Sequence, residues 1–261
     1  MQNGVEKDPK AWIVREAPPA PAPAPGATPD PAAARGRGRG NPTPAPTPYA
    51  DYPNPDAAPV TLRLTKGGAR VGGLGVAAGS GQGVEKLVDD VEFAAPALVM
   101  AESSPHRLLY ATPELTAPVH LSGWTKVTLK LASSKPATNL SVYLVQLPWI
   151  DGPISPANLI TRGWADPQNH DALKNGGDYH ARGAGTPLVP GQFVTMTFDL
   201  QPDDQIVPAG KRIGLMIFAS DKDFTLWPKP GTELSIDLDE TSIRLPVVGG
   251  AAAFSRAAGQ R

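Results

Sequence analysis

The sequence predicts an all-β protein, an antiparallel β-sandwich of the jelly-roll type with a disordered Pro/Ala-rich insertion near its N-terminus. Short segments that alternate apolar and polar residues recur after Val60 and end at turn residues. The 261 residues include 31 prolines and 27 glycines, which disfavour long helices and central strands. No amphipathic helical pattern exceeds about two turns, so alternating β and α units are not expected.

Each predicted strand follows from its own pattern. The first is short and covers residues 10–16, around Trp12. Residues 213–219 are apolar on both faces, which is typical of a strand covered on both sides, so we expect this strand to lie centrally. Strands with one apolar face are predicted around residues 127–131, 140–144, 194–200 and 234–238. Turn sequences such as Pro190-Gly191 and Lys229-Pro-Gly231 separate them.

The composition divides the chain into four parts. Fifteen of the 31 prolines fall within the first 59 residues. We therefore expect a connecting segment at 1–16, a disordered Pro/Ala/Arg-Gly linker at 17–48, the sandwich at 49–248 and a flexible tail at 249–261. The Arg35-Gly-Arg-Gly-Arg-Gly repeat could bind RNA, but three arginines in a solvated linker are the simpler interpretation.

Charge and composition exclude several classes of protein. Lys plus Arg number 24 against 25 Asp plus Glu, a net charge of −1, so we expect neither a nucleic-acid nor a membrane partner. Without cysteine there is no disulfide, thiolate metal site or cysteine nucleophile. The absence of cysteine is compatible with any cellular compartment. The chain shows no signal peptide and no membrane-length apolar run, so we expect a soluble protein, cytoplasmic as it stands, although a parent enzyme could be exported.

Motifs for catalysis are incomplete, so we predict no catalytic residue and no cofactor. No serine stands in a G-x-S-x-G turn, since Ser80 has Ala78 and Gln82 at the glycine positions. The Gly73–Ala78 stretch matches a dinucleotide fingerprint, but no helical pattern follows it.

No metal site is predicted either. His170 and His180 share a long polar loop, 165–189, with three aspartates, but such loops collect these residues without a role. Asp221 and Asp223 could supply oxygen ligands to calcium, although solvated turn carboxylates are the simpler interpretation.

Several ordered blocks resemble the C-terminal domain of the Xaa-Pro dipeptidyl-peptidase family, which includes cocaine esterase and related acylases. These blocks are residues 108–118, 159–169, 187–192, 199–204 and 207–214. Residues 3–10 and 49–53 resemble the stretch that joins this domain to the catalytic one. The resemblance implies a jelly roll beside an α/β-hydrolase domain whose Ser, Asp and His triad lies upstream. No residue of this chain matches a triad motif.

The resemblance therefore implies a non-catalytic domain whose partner, the α/β-hydrolase domain, is missing through truncation, gene fission or a mis-assigned start. Such a domain can form a wall of the catalytic cleft, and the candidate cleft-facing or docking residues are Trp164, Asp166, Phe224 and Trp227. A position at the edge of the core is the simpler interpretation of the loop tryptophans. An exposed apolar patch would also favour a homo-oligomer.

Two alternatives remain open. The first is a free-standing carbohydrate- or ligand-binding jelly-roll module, which could stack sugars on its tryptophans. The second is an autonomous hydrolase that uses the loop from His170 to His180. The non-catalytic interpretation predicts that no hydroxyl, imidazole and acid lie within bonding reach beneath a pocket.

Overall fold

The structure is a computed structural model that describes residues 7–15, 45–77, 79–152, 154–174 and 185–259. Its helices are α1 (Ala95–Met100), α2 (His170–Leu173) and α3 (Gly250–Ala257), with one 3₁₀ helix at Pro167–Asn169. The strands are β1 (Ala11–Ile13), β2 (Thr47–Tyr49), β3 (Ala57–Thr65), β4 (Gly72–Gly75), β5 (Val84–Val88), β6 (Arg107–Ala111), β7 (Val119–Gly123), β8 (Lys126–Ser133), β9 (Leu140–Leu147), β10 (Leu159–Ala165), β11 (Val194–Asp199), β12 (Asp203–Val207), β13 (Arg212–Phe218) and β14 (Glu233–Val248).

The long strand β14 joins the parts of the sheet. Its first half pairs with β5 and β8, and its second half pairs with β3, with a shift of register against β8 between Asp237 and Ser242. Along its main path, the sheet has the strand order β10-β9-β13-β6-β4-β3-β14-β7-β12, and β11 lies beside β8. Every described pair is antiparallel except β4 with β6. The all-β antiparallel prediction is confirmed, and jelly-roll connectivity stays a prediction.

Strand β13 lies between β9 and β6, as its apolar sequence predicts. Ile213, Leu215 and Ile217 point into the inner core, where they join alternating residues of β8, β11 and β14. Met216 and Phe218 point to the other face and form a second cluster beneath α1. Each of these buried side chains contributes roughly 1.5–3 kcal/mol. The sheet β10-β9-β13-β6 is therefore covered on both faces, and its outer face carries the candidate surface.

Two predicted boundaries need correction. The segment 249–261 is not simply a flexible tail, because α3 occupies Gly250–Ala257 and buries Phe254 in the core. The predicted linker ends too late, since Thr47 and Pro48 belong to β2 and pair with Ile13 and Trp12 of β1. Burial of the Phe254 side chain anchors this segment to the core, although the apolar pattern of the residues around it is weak.

The long polar loop 165–189 is partly regular. The 3₁₀ helix and α2 occupy its first part, and Leu173 is buried against the core. His180 and Asp178 lie outside the described residues, as does most of the predicted linker. Among the described residues, no helix is both long and apolar enough to cross a membrane.

Candidate docking surface

A buried carboxylate organises the outer face of the sheet. Asp221 follows β13 and is 1% exposed. Its Oδ2 accepts hydrogen bonds from the Tyr143 hydroxyl at 2.6 Å and from the Trp164 indole Nε1 at 2.9 Å. Burial, together with the hydrogen bond to Asp221, raises the pKa of Tyr143, so the hydroxyl remains a donor. This carboxylate joins the outermost strand β10 to the loop after β13.

Two aromatic rings and one guanidinium pack together beside this carboxylate. The Phe224 ring lies 4.8 Å from the Trp164 ring, centroid to centroid. The Arg162 guanidinium lies 4.2 Å from the centroid of Phe224 and 5.4 Å from that of Trp164. A cation this close to an aromatic face is attracted by the negative ring face. Arg162 thus fixes the ring of Phe224 against Trp164.

The loop after Asp221 presents apolar side chains to solvent. Phe224 is 51% exposed, Leu226 is 82% exposed and Trp227 is 63% exposed. The Trp227 indole Nε1 donates to the Lys222 carbonyl at 2.8 Å, and the Lys222 Nζ lies 5.7 Å from its ring. We call Trp164, Phe224, Leu226 and Trp227 the aromatic surface.

This loop is braced at its base and near its tip. Asp89, itself buried, accepts from the Ser220 amide at 3.0 Å and from the Ser220 hydroxyl at 2.8 Å. Asn139 donates to the Leu226 carbonyl at 2.9 Å and to the Ser220 hydroxyl at 2.8 Å. The exposed side chains therefore stand on a fixed backbone, and docking them orders little additional chain.

The candidate residues are only partly brought together. Trp164 and Phe224 are in contact, and Trp227 lies on the same loop as Phe224. Asp166 has a different role, because its Oδ1 accepts from the Gln168 amide at 2.9 Å and caps the 3₁₀ helix. Asp166 is exposed and makes no described contact with the aromatic surface.

Sequence analysis missed the residues beneath this surface. Asp221 was expected as a solvated turn carboxylate, and that interpretation was wrong because Tyr143 and Trp164 bury it. The sequence pattern that could have revealed Tyr143 is the alternation in β9, which places Tyr143 on the face opposite Leu144. No local pattern reveals that Arg162 and Phe224 meet.

A second polar network holds the connecting segment to the domain. The Arg15 Nε donates to Asp204 Oδ1 at 2.6 Å, and the Tyr49 hydroxyl donates to Oδ2 at 3.0 Å. The His120 Nε2 lies 3.0 Å from Asp204 Oδ1. Burial raises the pKa of Asp204, but hydrogen bonds and the charge of His120 outweigh burial and bring the pKa to about 2. The network joins β1 and β2 to β7 and β12.

This network places a hydroxyl, an imidazole and an acid within bonding reach, beside a cavity of about 360 Å³ lined by Arg15 and Asp204. The prediction that no such group exists was wrong. The arrangement nevertheless lacks the geometry of a catalytic relay, in which the acid and the nucleophile contact different ring nitrogens. Here the His120 Nε2 contacts both Tyr49 and Asp204. Burial also raises the pKa of Tyr49, which disfavours a phenolate.

Among the residues that the structure describes, no group of three or more His, Asp or Glu side chains could hold a metal ion. The fold and the two networks define a β-domain that presents an exposed apolar surface. The chain belongs to the family of X-Pro dipeptidyl-peptidase C-terminal non-catalytic domains, whose model matches residues 3–258.

Known proteins agree with this assignment. The chain is 45% identical over 250 residues to a protein of Rhodopirellula baltica named as an Xaa-Pro dipeptidyl-peptidase, and the match covers 95% of this chain and 35% of the relative. The chain therefore spans about a third of the length of the curated relatives that it matches first.

Solved structures share the fold. An aminopeptidase from a marine sediment archaeon, Thaumarchaeota archaeon, aligns with a TM-score of 0.58 and 17% identity, over 78% of this chain and 39% of that one. An α-amino acid ester hydrolase aligns with a TM-score of 0.54 and 17% identity, over 72% and 36%.

Proposed function

We propose that the chain packs its aromatic surface against the α/β-hydrolase domain of an Xaa-Pro dipeptidyl-peptidase and completes one wall of the catalytic cleft. The observation that supports this most directly is the exposure of Phe224, Leu226 and Trp227 on a braced loop. Large apolar side chains grouped in this way are typical of a surface that a partner covers. The contact of Phe224 with Arg162 adds an arginine, a residue type that is enriched together with aromatic residues at binding hot spots.

The partner proposed for this surface is the part of the relatives that this chain does not match. About two thirds of the Rhodopirellula relative lies outside the match, given the 35% coverage. Interfaces between domains of one chain commonly bury about 600–1,500 Å². Four large side chains at the centre of such an interface are enough to orient one domain against the other.

A chimera tests the proposal. In the Rhodopirellula relative, this chain replaces the segment that it matches, and release of p-nitroaniline from a Gly-Pro substrate is measured. We expect the triple variant Phe224→Ser, Leu226→Ser, Trp227→Ser to reduce activity at least about tenfold relative to the chimera with the natural residues, because the loss of hot-spot contacts of about 2 kcal/mol or more separates the domains. Calorimetry should then show two unfolding transitions in place of one.

Trp124→Ser is the matched control, since Trp124 is also a half-exposed tryptophan but packs edge to face against Tyr52 and not against the aromatic surface. Equal activity in the triple variant and the control would place the docking surface elsewhere. The chain by itself should release no dipeptide, and turnover that a serine-directed inhibitor abolishes would contradict a non-catalytic role.

The exposed indole of Trp227 also suits a second function, carbohydrate binding by stacking. Titration of the isolated chain with polysaccharides, followed by tryptophan fluorescence, separates the two functions. Saturable binding that Trp227→Ser abolishes would favour the binding module.

A further inference from the structure

A groove on the outer face of the sheet, distinct from the aromatic surface, combines apolar walls with two hydrogen-bond donors. It lies between α1 and the loop after β9, and its volume is about 430 Å³. Met100, Leu109 and Leu147 are apolar residues that line it, and Trp149 and Arg212, which carry N–H donors, line it as well. This volume lies within the range of small-molecule sites.

The first donor is the indole Nε1 of Trp149. This atom is buried and has no hydrogen-bond partner among the described residues. The ring itself packs against the outer core cluster, so the indole cannot simply turn into solvent. A buried donor without an acceptor costs roughly 1–3 kcal/mol, and such groups in native proteins usually mark a missing ligand or water.

The second donor is the guanidinium of Arg212. Its Nε donates to the Thr112 carbonyl at 2.6 Å, which fixes the direction of the side chain. Within the described ranges no carboxylate pairs with Arg212, so its terminal N–H groups and its charge are available. Glu102 also lines the groove, but it is exposed and pairs with Arg70, so the net charge of that pair is zero.

We propose that this groove binds an amphiphilic carboxylate, such as a medium-chain fatty acid. The apolar tail lies on Met100, Leu109 and Leu147, where it removes apolar surface from water. The carboxylate accepts from the Arg212 guanidinium and from the Trp149 indole, so that both donors gain a charged acceptor. A cation cannot accept from either donor, and a neutral alcohol offers an acceptor oxygen without the negative charge that Arg212 favours. This inference does not depend on the proposed docking of the aromatic surface.

The test is a titration of the full chain, labelled with ¹⁵N at its tryptophan indoles, with sodium octanoate. We expect a downfield shift of the Trp149 indole proton on saturation, with that peak assigned by its absence in Trp149→Phe. Arg212→Gln should weaken binding about 10- to 100-fold, in the range for loss of a charged hydrogen bond. Trp149→Phe keeps an aromatic ring but loses the donor and its NMR signal, so affinities of all variants are compared by isothermal titration calorimetry, where Trp149→Phe should bind several-fold more weakly. 1-Octanol should bind at least about tenfold more weakly than octanoate.

Arg244→Gln is the control, because Arg244 is an exposed arginine elsewhere on the domain and should leave the affinity unchanged. The proposal is overturned if octanoate causes no shift at millimolar concentration, if octanol binds equally well, or if both Arg212→Gln and Trp149→Phe bind like the natural chain. Because Trp149→Phe is conservative, it keeps the test valid even if Arg212→Gln fails to fold.

Discussion

The indole of Trp164 donates to the carboxylate of Asp221 at 2.9 Å, although the two residues are 57 positions apart in the chain. The hydroxyl of Tyr143 donates to the same oxygen. One buried charge therefore holds an edge strand, a central strand and a surface loop in a fixed arrangement. The rigidity of the aromatic surface follows from this contact, since Phe224 packs directly on Trp164.

We expect Asp221→Ala to destabilise the domain by about 2–4 kcal/mol, because the Tyr143 hydroxyl and the Trp164 indole each lose their acceptor while they remain largely buried. Urea unfolding followed by circular dichroism measures the change. Asp223→Ala, two residues along the same loop and exposed, should change the free energy of unfolding by less than about 0.5 kcal/mol. Equal effects of the two substitutions would contradict the role assigned to Asp221.

The contrast between β13 and Asp221 shows how far the sequence predicts this molecule. Alternation and a doubly apolar run report burial along one strand, so the central position of β13 follows from residues 213–219 alone. Asp221 and Tyr143 are far apart in the sequence, so no local pattern pairs them, and the turn residues around Asp221 predict that its side chain is exposed to solvent. The helix α3 was missed because its alanines carry a weak apolar signal, and only Phe254 indicates a buried face.

Arg107 should be a major contributor to stability. Its side chain is fully buried, burial lowers the pKa of its guanidinium, and it pairs with backbone carbonyls in place of a carboxylate. The carbonyls that accept from it belong to Gly68, Ala69, Arg70, Leu98 and Ala101. We expect Arg107→Met to lower the free energy of unfolding by at least about 3 kcal/mol, since several buried acceptors lose their donor.

The control is Arg70→Met, which removes an exposed ion pair with Glu102 and keeps the Arg70 carbonyl. Such pairs contribute about 0–1 kcal/mol. Guanidinium chloride unfolding distinguishes the two variants, and a small effect of Arg107→Met would mean that water replaces the guanidinium.

Acid should weaken the domain partly through Asp204. Its pKa is about 2 in the folded state against a usual value of 3.8, so the unfolded chain takes up the proton at higher pH than the folded one. The stabilisation is complete above about pH 4 and is lost as the pH falls towards 2. The shift corresponds to about 2 kcal/mol.

In Asp204→Asn, the free energy of unfolding should be lower at neutral pH and should fall less between pH 4 and 2 than in the natural chain. Asp51→Asn, in an exposed pair with Lys10, should leave this acid dependence nearly unchanged because water screens the pair. An identical acid dependence in Asp204→Asn would show that other carboxylates account for the loss.

The Pro/Ala-rich insertion should be removable, because it connects two strands that already face each other. Ile13 of β1 pairs with Thr47 of β2, and Arg15 is bonded to Thr47 and Asp204 just before the insertion begins. Joining Arg15 to Ala45 through Gly-Gly shortens the closed loop more than fivefold, and chain entropy then predicts a gain of about 1.5 kcal/mol in the free energy of unfolding.

Thermal and urea unfolding measure the gain, and an equally long Gly/Ser insertion, which keeps the loop length, should match the natural chain. A loss of stability on excision, without a similar loss in the Gly/Ser variant, would mean that the Gly-Gly join strains the β1–β2 pair; a loss in both would mean that the natural insertion makes specific contacts with the domain.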